Sequence, residues 1–207
     1  MTVLGAGLLW FGWFGFNAGS ALSSGTLSAM TFVVTHISAV SATLIWVIIE
    51  WLHRGKPTMF GAATGSIAGL ATITPASGFV GPMSALCIGL AAGAVCYAAL
   101  NMKNRFRYDD SLDAFGVHGI GGILGTLATG LLAQKILNPG GADGLLFGSG
   151  KMLLSQIIAV SVTAIYSFVI TVVILKVIDW TIGLRVDEEA EVEGLDISQH
   201  GESGYTL

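Results

Sequence analysis

The residue of this chain best placed to do chemistry is an imidazole in an apolar, glycine-flanked stretch: His118, in Asp113-Ala-Phe-Gly-Val-His118-Gly-Ile-Gly-Gly. Counted as helix from the charged Asp109-Asp110 edge, it lies about 13 Å in, close to the middle of a hydrocarbon core about 30 Å thick. Ionisable groups at that depth are costly and mark ion or proton pathways. The competing reading is a histidine satisfied by the backbone of a neighbouring helix. Trp13, Phe16 and Ser20 fall at i, i+3 and i+7 on one helical stripe. Ring faces attract a small cation and the hydroxyl supplies an acceptor. An interfacial aromatic belt with core packing accounts for the same aromatics. His36, next to Thr35 and near Ser38, could line a path, but reads better as satisfied by packing partners or as lying near an outer vestibule. His53 beside Arg54 reads as a solvated edge residue, and His200 falls in the tail. Cys87 and Cys96, nine residues apart in one apolar helix, face opposite sides and can neither bridge nor share a metal.

Such residues need helices to carry them, and the composition supplies little else. A mean hydropathy of +0.77, 53% hydrophobic residues and only 11% charged ones exclude the soluble class and indicate a polytopic membrane protein. The predicted fold is an all-α bundle with apolar spans at about 3–22, 27–51, 59–74, 80–100, 112–133 and 152–182, followed by an acidic tail at 183–207. The third span is short and the last is long, so tilt or a broken end is expected there. A pI near 5.4 without a basic stripe excludes nucleic acid as a partner. No secretory leader is recognisable.

Charge sets the expected orientation. Arg54, Lys56, Lys103, Arg105, Arg107, Lys176 and Arg185 lie on one side and only Lys135 and Lys151 on the other, seven against two. The positive-inside rule then places both chain ends in the cytoplasm of a multi-pass protein. The first span opens at once, without an export or anchoring cue, so the sequence reads as entered midway.

Three features organise the bundle. Gly61, Gly65 and Gly69, then Gly89 and Gly93, then Gly121 and Gly125 recur every four residues and form ridges for close helix packing. Thr74-Pro75-Ala76-Ser77-Gly78 and the stretch 139–144 read as outer loops. The tail holds seven Asp and Glu between 187 and 202. Its Gly-Leu-Arg-Val and Glu-Gly-Leu-Asp segments interleave apolar anchors Leu184, Val186 and Leu195 with charges, which suits a regulatory element better than a purely solvated run.

Four ordered motifs resemble the ammonium transporter family (Amt/Mep/Rh) over essentially the whole chain. They are Gly12-Trp13-Phe14-Gly15-Phe16-Asn17-Ala18-Gly19-Ser20; Thr74-Pro75-Ala76-Ser77-Gly78; Asp109-Asp110 with Asp113-Ala-Phe-Gly-Val-His118-Gly; and Gly183-Leu184-Arg185-Val186 leading to Glu193-Gly194-Leu195-Asp196 and His200-Gly201-Glu202. The resemblance implies helices six to eleven of that fold, meaning the second inverted repeat plus the long final helix, in a trimer with one pore per subunit. It makes His118 the second member of a twin-histidine proton relay and Phe16 one of two stacked gating rings. Ser20, Trp13 and Thr74 would belong to the outer vestibule that receives the cation, and Asp113 to the inner mouth. The other histidine and gating ring would belong to a half not represented here, and His36 does not match that first histidine.

The implied function is ammonium or ammonia transport across the plasma membrane, with no enzyme activity, cofactor or metal. This chain alone is expected not to be competent. The alternative is a membrane ammonium sensor that couples the same site to a signalling partner. A PII-type signalling protein is the expected soluble partner at the cytoplasmic face.

Overall fold

The computed structural model describes residues 1–106 and 108–204; Arg107 of the basic set and residues 205–207 of the tail lie outside the described residues. Among the described residues the regular structure is helical: α1 (Thr2–Gly19), α2 (Thr26–Arg54), α3 (Met59–Ile73), α4 (Pro82–Phe106), α5 (Ile120–Leu132), α6 (Gly150–Thr181), α7 (Glu188–Glu193) and α8 (Leu195–Ser198). Four helical stretches are long and apolar enough to cross a membrane: Thr26–Arg54, Pro82–Lys103, Phe115–Leu132 and Gly150–Thr181. At 15 residues α3 is shorter. Together these make a multi-pass membrane protein.

Local chemistry sets the helix ends. The last turn of α2 carries His53 and Arg54, which suit the negative end of the helix dipole. Gly55, at φ 77°, then takes the left-handed turn that returns its N–H to Trp51. Thr58 starts α3 by accepting the Gly61 N–H at 2.8 Å. Pro82 opens α4, where its missing N–H costs nothing.

The His118 segment opens a helix that runs on through α5 as one stretch, Phe115–Leu132, inside the expected span at 112–133. Its helix starts only after Asp113, which has φ 56°, and residues Phe115–Gly119 form a π turn that runs into α5. The cause is local: the Asp110 carboxylate accepts the Ala114 and Phe115 N–H groups at 2.9 and 3.0 Å, which caps the helix at that point.

The chain divides into two compact units, Met1–Val160 and Ser161–Leu207, with the boundary inside α6. The compositional division at 182 marks instead where apolar chain gives way to acidic chain. In the first unit, one apolar cluster joins Val34 of α2, Ile73 of α3 and Ile88 of α4 with Ala76, Val80 and Ala128. A second joins Trp46, Ala68, Cys96, Tyr97 and Val117. The glycine ridges lie where helices approach most closely. A Cβ at Gly65 would come within 2.7 Å of Trp46, and one at Gly121 within 2.7 Å of the Thr72 hydroxyl oxygen. The loop after α3 is less exposed than a surface turn: Ala76 and Ser77 are buried.

In the second unit the rest of α6 exposes Val162, Ile165, Phe168 and Val173, as a lipid-facing helix does. Beyond it, Arg185 pairs with Glu191 at 3.1 Å. The Ser198 hydroxyl bonds the Ala190 carbonyl at 3.1 Å, tying α8 to α7.

Candidate functional site

Helix α1 presents Trp13 and Phe16 toward the π turn. The Trp13 indole is parallel to the His118 imidazole, with centroids 6.3 Å apart and an interplanar angle of 7°. Phe16 meets Trp13 edge-on at 6.1 Å. The indole is fixed by its N–H, which donates to the Thr74 hydroxyl at 2.8 Å. That hydroxyl in turn donates to the Leu70 carbonyl, also at 2.8 Å. Thr74 thus has its proton committed and one lone pair occupied, so it orients Trp13 before it can contact anything else.

Ser20 follows directly on α1 and donates to the Phe16 carbonyl at 2.6 Å. Its proton is spent, so its exposed oxygen is left as an acceptor, the polarity an N–H cation needs. Phe16, Ser20, Asn17, Thr74, Phe79 and Asn138 line a cavity of about 210 Å³. Asn17 in its wall is buried, with its amide donating to Thr35 Oγ1 at 3.1 Å. The structure therefore brings Trp13, Phe16, Ser20, Thr74 and His118 onto one continuous run of rings and hydroxyls. Phe16 is 64% exposed and His118 is exposed as well, so this run lies open on one side of the chain.

Asp113 is separate from that run. It pairs with Lys103 and lines a second cavity, of about 170 Å³, with Trp46, Glu50, Tyr97, Asn101 and Lys103. Glu50 went unremarked in the sequence reading. The residue is 3% exposed, and its carboxylate accepts from the Thr58 N–H at 3.0 Å and the Thr58 hydroxyl at 3.1 Å. Arg54 lies 3.9 Å away. The available signal was a lone acid inside an apolar helix, shortly before a threonine N-cap. His53 is exposed as expected, but its Nδ1 shares a 2.8 Å hydrogen bond with the Tyr97 hydroxyl. His36 is exposed and packs against rings of α1, at 5.4 Å from Trp10 and 6.0 Å from Phe14. Among the described residues no cluster of three or more His, Cys, Asp or Glu could hold a metal.

Comparison with known proteins gives this geometry a context. The model of the Ammonium Transporter Family matches residues 1–205. The chain is 47% identical to the ammonium transporter of Bacillus subtilis over 99% of its own length and 51% of that protein's. It is 49% identical to the ammonium transporter Amt1 of Archaeoglobus fulgidus over 100% of itself and 52% of that protein. It thus spans about half the length of these curated relatives. The crystal structure of Saccharomyces cerevisiae Mep2 superimposes with a TM-score of 0.86 at 32% identity, covering 90% of this chain and 43% of that one. A structure named Sensor Amt Protein matches with a TM-score of 0.81 at 31% identity, over 95% of this chain and 48% of that one. The curated relatives are named as transporters, not as enzymes, and on sequence and fold together the chain belongs to the ammonium transporter family.

Proposed function

We propose that this chain forms one wall of a pore that carries ammonium nitrogen across the membrane as ammonia and a proton. The observation that carries this reading is the parallel pair of Trp13 and His118, with Phe16 and Ser20 on the same run. Ring faces and the Ser20 acceptor recruit the cation. Taking an unsolvated cation through an apolar passage is costly, whereas a neutral amine beside a histidine relay avoids most of that cost. His118 is the proton carrier, as one of a pair of imidazoles, Phe16 the outer gate, Thr74 the support of the vestibule, and Asp113 a group at the inner mouth.

The open face at Phe16 and His118 calls for a second wall, because a site between two repeats is completed only when both line it. By itself the chain does not conduct. The test is to measure current across proteoliposomes that hold this chain together with the complementary half of the Bacillus subtilis relative. An ammonium pulse should give a current that His118→Ala removes. Absence of current with both halves present, or a current indifferent to His118→Ala, refutes the reading.

Assembly as a homotrimer in the plasma membrane, with both ends cytoplasmic, belongs to the same proposal. It rests on the family and on the basic asymmetry. The tail from Gly183 onward acts as a regulatory element for a PII-type partner; in its support, the apolar Leu184 and Leu195 are interleaved with its charges and are about half exposed. A sensor reading is favoured by one observation, the similarity to the Sensor Amt Protein structure. Ammonium-dependent change in partner binding without flux would select it.

A further inference from the structure

We infer that Lys103, at the end of α4, is a positioning residue for His118. It acts by clasping the turn from which the π turn springs. The Lys103 ammonium donates to the Asp113 carboxylate and, at 2.8 Å, to the Asp110 carbonyl. That same carbonyl accepts the Asp113 N–H at 3.1 Å, which closes the turn. The Asp110 carboxylate then caps Ala114 and Phe115, and the Asp113 carbonyl accepts the Val117 N–H at 3.0 Å. One side chain of α4 thus holds both residues whose oxygens start the segment carrying His118.

The segment needs such a hold for two reasons. Asp113 sits at φ 56°, a left-handed conformation uncommon for residues with a Cβ, although aspartate adopts it more readily than most. The π turn is also a less common state of the backbone than an α turn and recurs at functional positions. If it relaxed to an α turn, the register would change by one residue, a rotation of about 100°. His118 would then turn away from the Trp13 indole that it now parallels. Gly116 faces Leu100 so closely that a Cβ there would clash, so the π turn is seated against the same helix that provides Lys103.

What this positioning does for transport rests on the proposed function; the orientation of His118 does not. The experiment is therefore spectroscopic and uses this chain in lipid nanodiscs. Histidine is isotope-labelled, the His118 ring signal is assigned with His118→Gln, and the effect of Trp13→Leu on the His118 ring-proton shift is read as the ring-current contact. With native Lys103 the effect should be present, and its absence overturns the inference. We expect Lys103→Met to reduce it at least about twofold with unchanged helicity, and Lys103→Arg, which keeps the charge and the donors, to retain it. An undiminished effect in Lys103→Met, or a loss as large in Lys103→Arg, overturns the inference. Should Lys103→Met lose helicity, Asp113→Asn cuts the same pair from the other side and is read by the same two outcomes. A ring contact that depends on Lys103, found together with a two-half proteoliposome current indifferent to His118→Ala, would refute the transport reading and leave this one standing.

Discussion

The Trp13 indole lies parallel to the His118 imidazole at a centroid distance of 6.3 Å, although the two rings are more than a hundred residues apart in the chain. The indole is held there by a hydrogen bond to Thr74, a residue of neither ring's helix. Helix α1, the turn after α3 and the π turn before α5 thereby converge on one site.

Thr74→Val should leave the Trp13 N–H without its acceptor, at a cost of about 1–3 kcal/mol if the group stays buried. Thr74→Ser keeps the oxygen and should be close to neutral. Thermal unfolding in detergent compares the two, and equal stabilities would show that the hydrogen bond does not hold the indole.

Packing along the glycine ridges gives a sharper contrast. A Cβ at Gly69 would lie 2.5 Å from the Ser38 carbonyl and 2.7 Å from the Ala42 methyl, both on α2, whereas one at Gly12 meets nothing within 4 Å. Gly69→Ala should destabilise by about 1–3 kcal/mol through overpacking, with Gly12→Ala unaffected or slightly stabilised. Unfolding midpoints in a denaturing detergent titration measure the difference; parity between the two variants would contradict the close approach of α2 and α3.

Acid should loosen the tail. The Gly204 N–H, bonded to the Asp196 carboxylate at 3.0 Å, holds that carboxyl below its ordinary value of 3.8 in the folded tail. A folded-state pKa below the unfolded one means that the ionised form favours folding. The contribution is complete above the ordinary value of 3.8 and disappears as pH falls through the depressed one. The protection factor of the Gly204 amide should fall across that acidic range, and Asp196→Ala, which removes the acceptor, should leave it unprotected throughout. Protection at Gly204 that is independent of both would exclude the bond.

Orientation can be read directly. With Cys87 and Cys96 replaced by serine, Ala142→Cys in the loop before α6 should react with a membrane-impermeant maleimide from outside intact cells, as the basic asymmetry requires. Labelling only after the membrane is opened would invert the topology.

Hydropathy and charge alone were enough to show a multi-pass helical membrane protein, because lipid demands long apolar helices wherever a chain crosses it. The glycine spacing foretold where helices would touch, since a repeat of four residues returns to the same face. Stripe arithmetic placed Trp13 and Phe16 on one face, and a glycine-flanked apolar setting singled out His118 as a candidate. The π turn at the head of the last-but-one span was not legible, because it depends on the Asp110 carboxylate capping Ala114 and Phe115 while Lys103 of α4 holds the Asp110 carbonyl. Nor was the burial of Glu50, whose partners lie across a helix boundary. Periodicity reports what a residue shares with its own helix, and so it could propose the rings. Only the packing of α1 against the turn after α3 and the π turn could decide that Trp13, Thr74 and His118 meet, since no pattern local to one helix encodes the distance to another.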